Sequence, residues 1–424
     1  MLTPSIRALF ERADAVLADN PKLLKIFKNC FASTLETTVK QLDNGETFVI
    51  TGDIPAMWLR DSSAQVQHYL PLLREDEELK AIVAGLIARQ VKCINIDAYS
   101  NAFNECENNN RTDYDRTELN AWIWERKYEV DSLCYPIRLA YQFWRETKDA
   151  SIFTEDFKRA VYVILDTFRT EQHHENSTYR FERDLAEVWG KDTETLQNNG
   201  RGMPVNYTGM TWSGFRPSDD ACTFGYLVPS NMFAVVILGY IMEIAEVVWR
   251  DPRIYAMAKK LRHEIDYGIK AYATFLHPKY GRIYAYETDG FGNYMLMDDA
   301  NVPSLLSLPY LGYVDAEDEL YRSTRAFILS HDNPFYFSGS AACGIGSPHT
   351  PKNYIWHIAL SMQALTTANK DEQKALIKKI LSTDAGCDCM HEGFDVNDPC
   401  KFTRPWFAWA NSLFAELVFK VYMK

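Results

Sequence analysis

Residue types that can do chemistry cluster at five stretches of this 424-residue sequence. Three of these stretches place tryptophan, arginine and carboxylates directly ahead of a predicted helix. Carboxylates and arginine bond the neighbouring hydroxyl groups of a sugar, and an indole face covers the C–H side of its ring. The pattern therefore favours a carbohydrate site assembled from loops. The stretches are 53–62, 122–132, 210–220, 344–349 and 390–395.

Eight residues of these stretches are candidates for binding a sugar. Helix capping is a structural alternative for Asp61, Asp131 and Ser218, and an arginine beside an aspartate is often a simple ion pair. Capping does not require tryptophan, arginine and a doubled acid together, so we favour binding for the set. Both interpretations stay open for Glu129, Asp131, Arg216 and His349. The candidates are Trp58, Arg60, Asp61, Glu129, Asp131, Arg216, Asp220 and His349.

The reaction class follows from the motifs that the chain lacks and those that it has. The sequence contains no phosphate loop, dinucleotide fingerprint, zincin motif or serine-hydrolase elbow. Glycoside hydrolysis needs two carboxyl groups, one protonated and one ionised. Either Asp219 or Asp220 could be the acid, because one of two adjacent carboxyls near aromatic rings can have its pKa raised. Glu392 could be the base.

Helices must position these residues, because apolar residues recur at helical spacing along most of the chain. Half-buried and fully buried patterns alternate, with no linker-like tract between them. We therefore predict an all-α fold, a single toroid of paired helices spanning 1–424. Only 47–51 and 282–287 read as strands. The predicted helices are 3–18, 21–40, 62–73, 76–94, 133–144, 151–170, 221–248, 252–275, 303–311, 317–329, 353–367, 372–382 and 406–421.

Composition limits the partners and the compartment. The chain has 45 Lys+Arg against 57 Asp+Glu, a net charge of -12 that disfavours nucleic acid. The start is too charged for a secretory signal, and the apolar stretch 235–248 is too short for a membrane span. Nine scattered cysteines indicate reduced thiols in a cytoplasm. We expect no metal and no cofactor, since the Cys387-x-Cys389 pair lacks zinc spacing. The sequence does not indicate an oligomeric state.

Six longer motifs resemble glycoside hydrolase family 125, and the resemblance runs from about residue 53 to 409. Strings of this length rarely recur by chance. The motifs are DIPAMWLRDS at 53–62, WERKYEVDSLCYP at 124–136, GMTWSGFRPSDD at 209–220, VPSNMFAVV at 228–236, NVPSLL at 301–306 and MHE at 390–392.

The resemblance implies an (α/α)6 toroid that removes terminal α-1,6-linked mannose from an oligosaccharide, without a metal and with inversion at the anomeric carbon. It places the acid in the Asp219–Asp220 pair, and we choose Asp219, although the sequence does not separate the two. It makes Glu392 the base. Trp58, Arg60 and Asp61 would then hold the terminal mannose.

Two other functions stay open at this point. A sugar epimerase or isomerase would use histidines on both faces of its substrate, and His349, His357 and His391 are available. A glycan-binding protein without catalysis is the other alternative.

Overall fold

The computed structural model describes residues 2–111, 113–184 and 192–424, about half of which lie in helices. The α7 segment is a single turn in which Asn198 and Asn199 have left-handed backbone angles. Short 3₁₀ turns follow α3 and α6, and π turns extend α8 and α14. The helices are α1 (Pro4–Val16), α2 (Pro21–Thr37), α3 (Leu59–Val66), α4 (Glu77–Ile96), α5 (Val130–Thr147), α6 (Glu155–Glu171), α7 (Gln197–Gly200), α8 (Val228–Ile244), α9 (Pro252–Tyr272), α10 (Leu308–Leu311), α11 (Glu319–Ile328), α12 (His357–Leu365), α13 (Lys370–Leu381) and α14 (Ala408–Val418).

Inner and outer helices alternate along the chain. The inner series packs in the order α12, α14, α3, α5, α8 and α10, and outer helices lie against it, such as α2 on α14 and α9 on α8. Every residue of α3 and of α14 is buried. The outer helix α6 buries one stripe that includes Phe157, Val161 and Ile164. This difference agrees with the predicted alternation of fully buried and half-buried helices.

The two sets of helices begin differently. Each of six outer helices has an N-cap side chain that accepts a hydrogen bond from the first turn. The inner helices α3, α5, α8, α10, α12 and α14 have no such side-chain cap. The residues at the starts of the inner helices are therefore not occupied by capping and can contribute side chains to a binding site. The outer caps are Asn20, Asp76, Thr154, Asp251, Asp318 and Asn369.

Short strands lead into the inner helices and fix where they start. β3 runs directly into α3, β8 into α8 and β15 into α12. The sheets of the described residues have the orders β1-β2, β3-β4-β6, β5-β7, β12-β11-β8, β10-β9, β13-β14 and β15-β16, all antiparallel. The strands are β1 (Val39–Gln41), β2 (Thr47–Val49), β3 (Met57–Trp58), β4 (Ala102–Phe103), β5 (Asp115–Arg116), β6 (Ile123–Glu125), β7 (Glu182–Arg183), β8 (Tyr226–Leu227), β9 (Thr274–His277), β10 (Gly281–Tyr284), β11 (Glu287–Thr288), β12 (Tyr294–Met295), β13 (Tyr336–Ser338), β14 (Cys343–Ile345), β15 (Tyr354–Trp356) and β16 (Gly393–Asp395).

The helix Val228–Trp249 is 22 residues long and apolar enough to cross a membrane by length and composition. The apolar stretch 235–248 noted in the sequence is therefore part of a longer helix that passes this test. Half of its most apolar window is buried inside the protein, and the helix packs against α5, α9 and α10. Burial on several sides accounts for its composition.

Candidate active site

One cavity collects the predicted catalytic residues. It contains about 460 Å³ of empty space, counting the solvent at its open mouth. Three carboxyl groups, two arginines and three indoles contribute to its wall. The lining residues are Thr51, Ile54, Trp58, Arg60, Asp61, Pro217, Ser218, Asp219, Asn301, His349, Trp356, Glu392, Arg404, Phe407 and Trp409.

The starts of three inner helices form much of this wall. Trp58 precedes α3, Trp356 precedes α12, and Trp409 is the second residue of α14. All three indoles are almost fully buried in the protein. Apolar ring faces around a polar floor suit a sugar, which has both C–H and hydroxyl surfaces.

Asp219 lies in a tight turn, residues 216–220, that we call the acid turn. The Asp219 amide donates to the carbonyl of Arg216 (2.9 Å), and the Arg216 amide donates to the carbonyl of Asp220 (2.8 Å). Asp219 has a φ of 70°, a conformation that costs energy for a residue other than glycine and is enriched at functional sites. Its side chain is 32% exposed. The turn thus presents this carboxyl group to the cavity.

The Oδ1 atom of Asp219 is buried and has no hydrogen-bond partner among the described residues. The nearest cation is Arg60, whose Nη2 lies 3.9 Å from Oδ1. An oxygen that is enclosed but unpaired is unusual in a folded protein and suggests that a ligand completes it.

Glu392 enters the cavity from the loop before β16. Its side chain is 9% exposed, and Arg404 donates from Nε to Oε1 over 3.2 Å. No other side-chain hydrogen bond to Glu392 occurs in the described part of the chain, so Oε2 remains available for a water molecule. Glu392 directly precedes Gly393, and Gly393 pairs with Trp356 in the register of β15 and β16.

Asp220 turns away from the cavity and is fully buried. Thr193 donates to its Oδ1 over 2.6 Å, and Nδ1 of His349 lies 4.0 Å from the same atom. Burial tends to raise the pKa of Asp220, but the interactions with His349 and Thr193 dominate and lower it. The possibility that Asp220 is the acid, or that it touches sugar, is therefore not supported by the geometry.

His349 lines the cavity, as the sequence suggested. Burial works to lower the pKa of His349, yet the nearby carboxylates of Asp220, Asp219 and Glu392 raise it overall. The carboxylates thus favour the protonated form of His349 at this cavity wall.

Arg60 reaches the cavity with a buried cluster behind it. Its Nη1 donates to Oε2 of Glu129 (2.6 Å) and to Oδ2 of Asp131 (3.0 Å), and its guanidinium lies 6.0 Å from the Trp409 ring. Glu129 and Asp131 are fully buried and do not line the cavity. We therefore reinterpret these two residues as supports for Arg60, in place of the predicted contact with sugar.

Asp61 is the third carboxyl group in the wall. Burial raises its pKa to about 6, although Arg60 opposes this shift, with Nε of Arg60 3.6 Å from its Oδ2. A carboxyl group that is partly protonated near neutral pH can donate a hydrogen bond as well as accept one.

Arg216 supports the acid turn from behind. Its Nε donates to Oε1 of Glu287 over 2.6 Å, while Oε2 of Glu287 accepts from the amides of Thr223 and Phe224. Arg216 is buried and absent from the cavity wall, so the open question of its role is answered in favour of an ion pair.

A second support comes from the Asp298–Asp299 pair. Ser218 donates to Asp299 over 2.7 Å, and Asp298 accepts from the amides of Leu305 and Leu306. Asp299 therefore holds the acid turn, while Asp298 holds the loop ahead of α10.

The capping alternative is not supported for the three motifs that prompted it. Asp61 and Asp131 lie inside the first turns of α3 and α5, after the N-cap positions Trp58 and Glu129. Ser218 precedes no helix within the acid turn, since α8 begins at Val228.

Several residues of the wall were missed by the sequence reasoning. Arg404 lies in the string Thr-Arg-Pro-Trp at 403–406, and Phe407 and Trp409 follow this string at the start of α14. Arginine with tryptophan ahead of a helix was the signal used elsewhere, but this string contains no carboxylate. Trp356 and Asn301 also line the cavity.

Two aromatic residues of the predicted stretch 210–220 do not reach the cavity. Trp212 and Phe215 are in the core, and the ring of Trp212 stacks on that of His174 with 3.6 Å between the ring centroids.

No group of three or more His, Cys, Asp or Glu side chains that could hold a metal occurs in residues 2–111, 113–184 and 192–424. All nine cysteines lie within these ranges and are free thiols.

At least two carboxyl groups in one cavity, together with arginines and indoles on a helical scaffold, are the arrangement that a glycoside hydrolase requires. The sequence profile of the metal-independent α-mannosidases, glycoside hydrolase family 125, matches residues 20–419. The chain belongs to this family and is an α-mannosidase.

Similar proteins agree with this assignment. A family member from Streptococcus pneumoniae, solved as a non-productive complex with α-1,6-mannobiose, is 48% identical with a TM-score of 0.96, over 99% of this chain and 98% of that one. The meiotically up-regulated gene 157 protein of Schizosaccharomyces pombe is 39% identical over 94% of this chain and 82% of that protein. A wild-type glycosidase with 11% identity and a TM-score of 0.54, covering 94% of this chain and 97% of its own, shares the fold alone.

Proposed function

We propose that this α-mannosidase removes terminal α-1,6-linked mannose from oligomannose or N-glycan-derived sugars by a single displacement with inversion. The observation that carries the proposal is that Asp219 and Glu392 line the same cavity, walled by three buried indoles. The α-1,6-mannobiose bound by the Streptococcus pneumoniae relative supports the linkage.

Asp219 is the proposed general acid. In this mechanism it protonates the glycosidic oxygen as the bond to the leaving sugar breaks. Its exposure to the cavity and its unpaired Oδ1 support this role, whereas the buried Asp220 is engaged by Thr193.

Glu392 is the proposed general base. A water molecule held at Oε2 would lose a proton to Glu392 while it attacks the anomeric carbon from the face opposite the leaving group. The Arg404 hydrogen bond at Oε1 supports this role because it fixes the carboxylate and leaves Oε2 for water. One displacement of this kind gives β-mannose as the first product.

Asp61 is the alternative proton donor, because its pKa of about 6 is suitable for a general acid. Its contact with Arg60 and its deeper burial favour a role in binding a mannose hydroxyl. The isosteric Asp61→Asn variant discriminates, since it retains activity if Asp61 only binds and loses it if Asp61 is the acid.

The six inner and six outer helices support an (α/α)6 barrel, which we propose as the architecture. The cavity lies at the end of the barrel where the inner helices begin. If the cavity is closed beyond the terminal mannose, only the end of a sugar chain can enter it, and the enzyme acts as an exo-mannosidase. A single catalytic domain over 1–424 and a cytoplasmic location remain predictions.

The epimerase alternative has lost its main support. His357 and His391 are fully buried. The two residues contact each other, because the His391 amide donates to Nδ1 of His357. Within the described residues, His349 is the one histidine that lines the cavity. One histidine does not supply proton transfer on two faces of a sugar.

The decisive experiment offers the enzyme α-1,6-, α-1,3- and α-1,2-mannobiose, each with and without a chelator. We expect cleavage of the α-1,6 isomer, undiminished by the chelator. Proton NMR of the first-formed mannose tests the stereochemistry. Release of α-mannose as the initial product would contradict the inverting assignment, and equal cleavage of all three isomers would contradict the linkage.

A further inference from the structure

Lys127 lies directly behind the proposed acid and is fully buried between two charged neighbours. Its Nζ donates to the main-chain carbonyl of Asp219 over 3.0 Å and lies 3.6 Å from Oε1 of Glu125. The ammonium group is also 5.3 Å from the ring of Phe215. Lys127 is 1% exposed and does not line the cavity, so it does not touch a bound sugar.

From this arrangement we infer that Lys127 is a positioning residue for the general acid, a role that rests on the proposed function of Asp219. It holds the carbonyl of a residue whose backbone is in the left-handed region. A non-glycine residue persists in that region only when its surroundings hold it there. Lys127 supplies a charged hydrogen bond at that point, which is stronger than a bond between neutral groups.

A relay of buried charges keeps Lys127 itself in place. Glu125 accepts from Arg183 over 2.7 Å and from Asn101 over 2.9 Å, and the amide of Lys127 donates to Oδ1 of Asn101 over 3.1 Å. Burial opposes the charge on Lys127, but Glu125 and Asp219 raise its pKa overall. The ammonium group is therefore both charged and fixed, as a support for the acid turn requires.

The role predicts a specific catalytic defect. If Lys127 orients the acid, its loss should harm only those reactions that need protonation of the leaving group. Mannobiose needs a proton on its leaving oxygen. α-Mannosyl fluoride does not need a full proton transfer, because fluoride departs readily, yet it still requires the mannose pocket and the base.

The test compares Lys127→Met on these two substrates. We expect kcat on α-1,6-mannobiose to fall by about 10²-fold, with a small change in KM, while kcat on α-mannosyl fluoride falls by less than about tenfold. Activity on the fluoride also reports that the variant is folded. Lys127→Arg, which keeps a buried cation, should recover part of the mannobiose activity.

Arg126→Met is the matched control. Arg126 is the neighbouring buried cation, but it bonds Asp97 and Thr117. Its loss should reduce stability and affect both substrates alike. Equal losses on both substrates for Lys127→Met would overturn the positioning role.

Asp219→Asn separates this inference from the proposed function. If Asp219 is the acid, this variant loses mannobiose cleavage and retains fluoride hydrolysis. If Asp219→Asn shows that difference and Lys127→Met does not, the positioning role fails alone. If Asp219→Asn does not show it, the assignment of the acid fails.

Discussion

The acid side and the base side of the cavity are held in different ways. The acid turn rests on groups that are nearly or fully buried, namely the Arg216–Glu287 pair, Lys127 and Asp299. Glu392 on the base side is held by Arg404, which is 29% exposed and whose second partner Asp53 is 60% exposed. The position of the acid is thus tied to the folding of the core, whereas the position of the base depends on contacts near the surface.

The difference has an energetic meaning. Removing one member of a buried ion pair costs about 3–5 kcal/mol, because the other charge is left uncompensated. An exposed pair contributes about 0–1 kcal/mol. Changes on the acid side should therefore affect stability together with activity, and changes on the base side should affect activity almost alone.

The largest effect is expected from Glu392→Gln. Loss of the base should lower kcat on α-1,6-mannobiose by about 10²–10⁴-fold, while the thermal midpoint stays close to that of the wild type. Steady-state kinetics and calorimetry on the same preparation check both parts. Activity within tenfold of wild type would remove Glu392 from the mechanism.

Glu287→Gln tests the acid side. It leaves the buried Arg216 without its carboxylate, so we expect the free energy of unfolding to fall by about 3–5 kcal/mol, with a loss of activity as the acid turn relaxes. Denaturant unfolding measures the first effect. A stability loss below about 1 kcal/mol would show that the acid turn does not depend on this pair.

Asp61 is affected by both sides of the cavity, because Asp219 raises its pKa and Arg404 lowers it. Its pKa in the folded protein, about 6, exceeds the unfolded value of about 3.9. The folded state therefore holds this proton more tightly, and the stability that it contributes is lost as pH rises from about 4 to about 7.

We expect Asp61→Asn to flatten this part of the stability profile, by roughly 3 kcal/mol at most. Denaturant unfolding of the variant and the wild type at about pH 4 and about pH 7 measures this change in the stability profile. Subtracting one protein's profile from the other removes the contribution of all other titratable groups. Identical pH dependence in both proteins would contradict the raised pKa.

The smallest combined effect on stability and activity is expected from Arg404→Met. We expect a change below about 1 kcal/mol in the free energy of unfolding and a decrease in kcat of about tenfold, since a charged hydrogen bond to Glu392 is lost. Asp53→Asn is the matched control, because it removes the exposed partner of Arg404 and should leave kcat near the wild-type value. A stability loss as large as that of Glu287→Gln would abolish the contrast between the two sides.

The helices could be predicted from sequence because their apolar stripes recur over many residues, as at Leu133, Ile137 and Ala140 of α5. The starts of inner helices could not. The predicted helix 221–248 begins at Val228, because 226–227 pair as a strand with β11. Strands of two or three residues carry too few side chains to show alternation.

The site was predictable where unlike residue types stand together in one string. The sequence predicted Trp58, Arg60 and Asp61 because they stand within four residues of one another. All three line the cavity. Arg404 and Trp356 were missed because neither stands beside a carboxylate in the sequence. The stretch 210–220 was predicted to contribute to the site, but its Trp212 lies in the core. A tryptophan beside polar residues in sequence can equally pack into the core.

The uncapped starts of the inner helices have a consequence for how such enzymes diversify. Residues there can mutate toward a new sugar without disturbing the capping that secures the outer helices. In this chain, the side chains that cap the outer helices are thus distinct from the residues at the inner helix starts that line the cavity.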